Sequence, residues 1–146
     1  GRAPGRAARA GGGAVVSDAE LIALATSVRE NAYAPYSKFK VGAALVAGSG
    51  KVYVGCNVEN ASYPLTVCAE RTAIGTAVAA GETEILRIAV IADSDPPASP
   101  CGGCRQVIYE FGADAVVVIA STAGHVHTTD IRTLLPEGFN GAALRR

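Results

Sequence analysis

The chain predicts a single α/β domain of three layers (α/β/α), with a mixed five-stranded sheet in the middle. Three observations carry this expectation. The 146 residues fit one compact domain. With 49% hydrophobic and 18% charged residues, the composition supports a real core and disfavours disorder. Segments of helix and strand character follow one another in the order α-β-β-α-β-α-β-β-α, which implies helices layered against a sheet.

Each element has a signature. Residues 1–16 (GRAPGRAARAGGGAVV) are biased toward Gly, Ala and Arg and read as a flexible tail, leaving one domain over 17–146. Ser17-Asp18-Ala19-Glu20 has the spacing of a capping box, with Ser as N-cap and Glu three residues on. Leu21, Ile22, Leu24, Ala25 and Val28 follow at helical spacing, and Pro35 ends that helix near Asn31. Residues 41–47 and 52–57 read as strands joined by Gly48-Ser49-Gly50. Residues 68–80 read as a helix with Gly81 just past its end. Residues 85–92 form a buried-strand run, 93–100 a Pro-rich loop and 102–111 a second helix opening at a cysteine pair. A strand over 115–120 and a short fifth over 126–128 follow, and Thr129-Asp130 caps a short helix through Leu135. His125 and His127 fall at a strand edge, where solvent exposure and no ligand role are expected.

Charge narrows the function. Formal net charge is zero, yet Arg2, Arg6, Arg9, Arg145 and Arg146 lie in the two tails. Residues 17–144 keep eight basic against thirteen acidic side chains. A nucleic-acid binder needs a basic surface to displace counterions, so the core points to a small uncharged substrate rather than to a polynucleotide. No stretch approaches the roughly 18 apolar residues of a membrane helix. The N-terminal arginines precede no apolar run of signal-peptide type, so a cytoplasmic location is expected. In that reducing setting four cysteines point to metal or catalysis before disulfides.

The informative pieces are Cys68-Ala69-Glu70 and Pro100-Cys101-Gly102-Gly103-Cys104, each at a predicted helix N-terminus. Free backbone N–H groups and the positive helix end favour thiolate, the form that binds metal. Cys101 and Cys104 have the spacing to share one tetrahedral ion, and Cys68 supplies a third sulfur. Three protein ligands leave a fourth position for water, the layout of a catalytic zinc site. Glu70 is placed to take a proton from that water. Three thiolates on Zn²⁺ leave one net negative charge, which Arg71 and Arg105 stand ready to offset. The residues alone also admit a four-cysteine structural zinc that recruits Cys56, and a thioredoxin-like pair. The four-cysteine zinc leaves Glu70 unexplained.

Three segments then resemble the small, homotetrameric type of zinc-dependent cytidine deaminase. They are Asn57-Val58-Glu59-Asn60-Ala61-Ser62-Tyr63, Thr66-Val67-Cys68-Ala69-Glu70-Arg71-Thr72-Ala73 and Pro100-Cys101-Gly102-Gly103-Cys104-Arg105-Gln106. Ala34-Pro35-Tyr36-Ser37, Phe39, Val41-Gly42-Ala43-Ala44, Leu134-Leu135-Pro136 and Phe139 are similar to further parts of that family. The resemblance runs from about Ser17 to Phe139 in order. It implies a cytidine-deaminase-like fold, one Zn²⁺ per chain, and hydrolysis of free cytidine and 2′-deoxycytidine to uridine and 2′-deoxyuridine with release of ammonia, a step of pyrimidine salvage. It implies attack of a zinc-activated water at C4, with Glu70 protonating N3 and then the departing ammonia. It assigns Asn57 and Glu59 to the ribose hydroxyls, Phe39 to stacking on the base, and Tyr63 to the substrate pocket. It has Ala61, Tyr33 and Phe139 reach a neighbouring subunit's site in a homotetramer. Pro64 and the N-terminal extension depart from the pattern. Rival readings are a deaminase of an aminonucleoside antibiotic of the blasticidin S type, a polynucleotide-editing deaminase and a catalytically silent zinc-binding module. Glu70 is the feature that a silent module would not need.

Overall fold

A computed structural model describes residues 15–145 of the chain. Helix α1 (Asp18–Arg29) starts as its capping box predicts: Ser17 Oγ accepts from Glu20 N at 3.1 Å, and Glu20 returns a carboxylate oxygen to Ser17 N at 3.2 Å. Strands β1 (Val41–Ala47) and β2 (Val52–Cys56) form the expected hairpin. Its turn needs Gly50 at φ +88°, where a side chain would be strained. Helix α2 (Ala69–Ala79) ends in a Schellman motif. Gly81 takes φ +91°, and Glu82 N–H donates to Ala77 O at 2.9 Å. Strand β3 (Ile85–Ala92) and helix α3 (Gly102–Phe111) take the bounds that the sequence predicts.

The C-terminal third departs in detail. Strand β4 (Val116–Ser121) begins one residue later than expected, and β5 (Val126–Asp130) runs two residues further. Thr129 and Asp130 pair with Val117 and Val116, so the ladder runs right up to the start of the next helix. Asp130 still caps the short helix α4 (Ile131–Leu134), its Oδ1 accepting from Thr133 N at 2.8 Å. Two 3-10 turns, Tyr63–Leu65 and Gly141–Leu144, have no counterpart in the sequence expectation.

The sheet order is β2-β1-β3-β4-β5. Only β3 and β4 are parallel, joined through α3; the other neighbours are antiparallel. Alternation along the strands sends side chains to two cores. Ala43, Leu45, Ile88, Val90, Val117 and Ile119 face α2, α3 and α4. Ala44, Val46, Ala89, Ile91, Val118 and Ala120 face α1. That is the expected three-layer arrangement. Val16 is buried in the second core, one residue before the domain start read from sequence; residues 1–14 of the expected tail lie outside the described residues. Two glycines let helices approach the sheet closely. A Cβ on Gly42 would meet Ala25 O at 2.0 Å, and one on Gly55 would meet Ala73 N at 2.3 Å. Among the described residues, no helix is long and apolar enough to cross a membrane.

Candidate active site

Chain leaving β2 returns to α2 through two isolated bridges, Val58 to Tyr33 and Val58 to Val67. This return delivers Cys68 to the N-cap of α2. Cys101 takes the same position on α3, and Cys104 follows in the first turn. Both caps have extended backbone, and neither side chain makes a capping hydrogen bond, so the sulfurs stay available. The Sγ atoms of Cys68, Cys101 and Cys104 all lie within 4.8 Å of one another. Cys56 does not join them: it stays on β2 as a half-buried free thiol, its pKa pushed up by burial.

This donor set fits one zinc ion. Three convergent sulfurs at two helix N-termini match a tetrahedral site with one position left over. The electrostatics split the thiols, favouring thiolate at Cys68 and keeping the proton on Cys104. Cys68 is held down to about 5, first because the Cys104 thiol donates to it and then because Arg71 does. Cys104 is pushed up by giving that hydrogen bond and by burial. Arg71 Nη2 stands 3.9 Å from Cys68 Sγ and donates to Thr66 O at 3.1 Å. The expected partner in charge compensation, Arg105, behaves otherwise. Its nitrogens go to Pro100 O at 2.8 Å, Leu134 O at 2.9 Å and Ser99 Oγ at 2.8 Å. They are spent on neutral oxygens of the scaffold and none on a sulfur.

A cavity of about 230 Å³ opens beside the sulfurs, with Cys68, Cys101 and Glu70 in its lining. Glu70, on the first turn of α2, is 5% exposed. Burial raises its carboxyl pKa, and the negative Cys68 adds to the rise. Phe39 and Tyr63 give the cavity aromatic surface, and Asn57 and Glu59 line it as well. Asn57 Oδ1 accepts from Val41 N at 2.9 Å, and its Nδ2 donates to Phe39 O at 2.8 Å, leaving one N–H and one lone pair. Glu59 is 4% exposed. Its Oε1 accepts from Tyr36 N at 3.0 Å and Ser37 N at 3.1 Å, and its Oε2 from the Ser37 hydroxyl. The Ser37 hydroxyl is the main reason its pKa is lowered. Among the described residues, the lining includes two carboxylates and no Lys, Arg or His.

Ala61, Tyr33 and Phe139 do not line this cavity, and all three are exposed. Ser37 and Thr66 do line it, and sequence reasoning assigned neither a role. Ser37 stood inside the quoted Ala34-Pro35-Tyr36-Ser37 segment, so the signal was there. Its meaning needs Glu59, 22 residues on.

Comparison with known proteins agrees with this geometry. Residues 15–120 match the family model for the cytidine and deoxycytidylate deaminase zinc-binding region. A cytidine deaminase of Sporosarcina psychrophila is 48% identical over 122 residues, covering 83% of this chain and 90% of that protein. One from Halalkalibacterium halodurans is 48% identical over 120 residues, covering 82% and 91%. The crystal structure of cytidine deaminase from Burkholderia pseudomallei superposes with a TM-score of 0.82 at 51% identity, over 84% of this chain and 99% of that one. With three thiols converging where that zinc-binding region is matched, the chain belongs to the cytidine deaminase family.

Proposed function

We propose that this protein is a zinc-dependent hydrolase that converts free cytidine and 2′-deoxycytidine to uridine and 2′-deoxyuridine, releasing ammonia. The observation that carries the reading is the convergence of three cysteine sulfurs within 4.8 Å, with the buried Glu70 beside them in one cavity. Cys68, Cys101 and Cys104 are the zinc ligands of this reading. The metal, when bound, supplies Lewis-acid activation of a water molecule. Glu70 accepts the proton released there, hands it to ring N3, and then serves the departing amine. Its raised pKa suits a group that must both take and return a proton. Arg71 offsets the excess negative charge from beside Cys68.

The residues around the cavity favour a free nucleoside. The spare N–H and lone pair of Asn57 and the remaining lone pairs of Glu59 suit ribose hydroxyls. Among the described lining residues, a 5′-phosphate would meet carboxylates and no cation. Phe39 and Tyr63 offer aromatic faces to the base. In the same reading the protein is a cytoplasmic homotetramer of pyrimidine salvage. Exposed Tyr33, Ala61 and Phe139 (57% exposed) then complete a neighbour's site, and exposed aromatics want such cover. The test is zinc per chain together with loss of the cytidine absorbance band. One zinc with uridine formed supports the reading; one zinc with neither nucleoside converted refutes it.

A further inference from the structure

We infer that Arg105 is a positioning residue of the metal centre, clamping the Pro100–Cys101 peptide so that the Cys101 sulfur keeps its direction. The inference rests on Cys68, Cys101 and Cys104 being the zinc ligands. These three sulfurs are not equally supported. Cys104 is fully buried within α3, and Cys68 has the Arg71 guanidinium beside it. Cys101 is exposed, at the last step of a loop that carries Pro96, Pro97 and Pro100. Its direction therefore depends on the backbone that enters it. The Pro100 carbonyl belongs to the planar peptide unit shared with Cys101 N, so an acceptor bond at that oxygen fixes the plane from which the Cys101 side chain departs.

Arg105 makes that bond from Nε at 2.8 Å, one turn into the same helix. Nη2 holds Ser99 Oγ at 2.8 Å, and Ser99 lines the cavity. Nη1 holds Leu134 O at 2.9 Å, at the last residue of α4. A planar fork with fixed donors thus ties the loop end, the start of α3 and the C-terminal segment together. Gln106 repeats the link with Nε2 on Phe139 O at 2.9 Å. Lysine has the charge but a single ammonium on a flexible stem, and it cannot reproduce three divergent bonds. Partners that orient metal ligands in this way carry about 10–100-fold in metal affinity or activity.

The experiment uses the zinc-loaded full chain and follows zinc release to excess 4-(2-pyridylazo)resorcinol, with thermal unfolding recorded alongside. Arg105→Gln and Arg105→Lys are both expected to release zinc about 10–100-fold faster than the parent. Ile22→Ala, on α1 across the sheet, serves as the control for plain destabilisation and is expected to release at the parent rate. Parent-like release from Arg105→Gln overturns the clamp. Full retention by Arg105→Lys shows that charge alone matters and overturns it too, as does release that simply tracks unfolding temperature across the three variants. If Arg105→Gln does not fold, Arg105→Lys carries the comparison. The readout needs no substrate, so a parent protein that holds zinc but leaves cytidine intact refutes the proposed function and leaves the clamp standing.

Discussion

Glu70 and Cys56 show how burial can mean opposite things at two residues. Glu70 is buried with no ion pair among the described residues, although Arg71 lies near enough to act on its charge. Such a group is expensive unless it has work to do. Glu70→Ala is therefore expected to keep one zinc per chain and to lose turnover by at least the roughly 10²–10⁴-fold that proton transfer contributes. Zinc stoichiometry and steady-state kinetics on one preparation check it; full turnover would remove Glu70 from the chemistry. Cys56 is a small thiol on a strand, uncharged and outside the sulfur cluster. Cys56→Ser is expected to retain both zinc and activity, and loss of stoichiometric zinc would restore a four-cysteine site. Glu59 makes a third case. Ser37 and two backbone N–H groups hold its pKa below the ordinary value. Its ionised form therefore adds stability above the unfolded pKa, and that contribution is lost as pH falls through the lower folded value. Ser37→Ala is expected to be less stable than the parent at neutral pH. The gap should close as acid protonates Glu59 in both, which urea titrations at neutral and acid pH will read.

At the scale of elements, the site depends on how closely α2 lies on β2. Gly55 permits that contact, since a Cβ there would strike the Ala73 and Ala69 backbone at 2.3 and 2.8 Å. Gly55→Ala is expected to destabilise by about 1–3 kcal/mol, the usual cost of overpacking, and to loosen zinc by shifting the helix that starts at Cys68. Gly75→Ala, on the same helix with nothing within 4 Å of the added Cβ, is expected to stabilise by about 0.5–1 kcal/mol. Denaturant unfolding of the pair separates crowding from glycine entropy. What was legible in the sequence follows the same division. The capping box of α1, the Schellman glycine of α2 and the bounds of β3 and α3 are written in local chemistry, and so were readable. The convergence of Cys68, Cys101 and Cys104 was legible because cysteines at two helix starts already suggest thiolates that share a metal. The end of β5 depends on pairing with β4, which no local pattern records. The direction of Arg105 depends on the Leu134 carbonyl, 29 residues away, so its neighbour Cys104 suggested charge compensation where the fold supplies a brace.

For the whole molecule, the proposed metal centre would work as a cross-link. Cys68 opens α2 and Cys101 and Cys104 open α3, with all of β3 and a proline-rich loop between them in sequence. Zinc held by all three would join two helices on the same face of the sheet and close that long loop. A clip of this kind favours the folded state, because the unfolded chain holds no preformed site. A ligand that binds only the folded form at 1,000 times its dissociation constant adds about 4 kcal/mol. For a domain of this size each kcal/mol moves the unfolding temperature by about 3 °C, so stripping the metal should lower it by about 10 °C. Scans at one protein concentration, before and after chelation and again after added zinc, measure the shift. The same scans separate the cross-link from catalysis. Glu70→Ala is expected to show the full zinc-dependent shift while being inactive. Cys101→Ala is expected to show little of it, because with one ligand gone the bridge between α2 and α3 rests on two sulfurs. Equal shifts in the parent and Cys101→Ala would place the stabilising zinc elsewhere in the molecule.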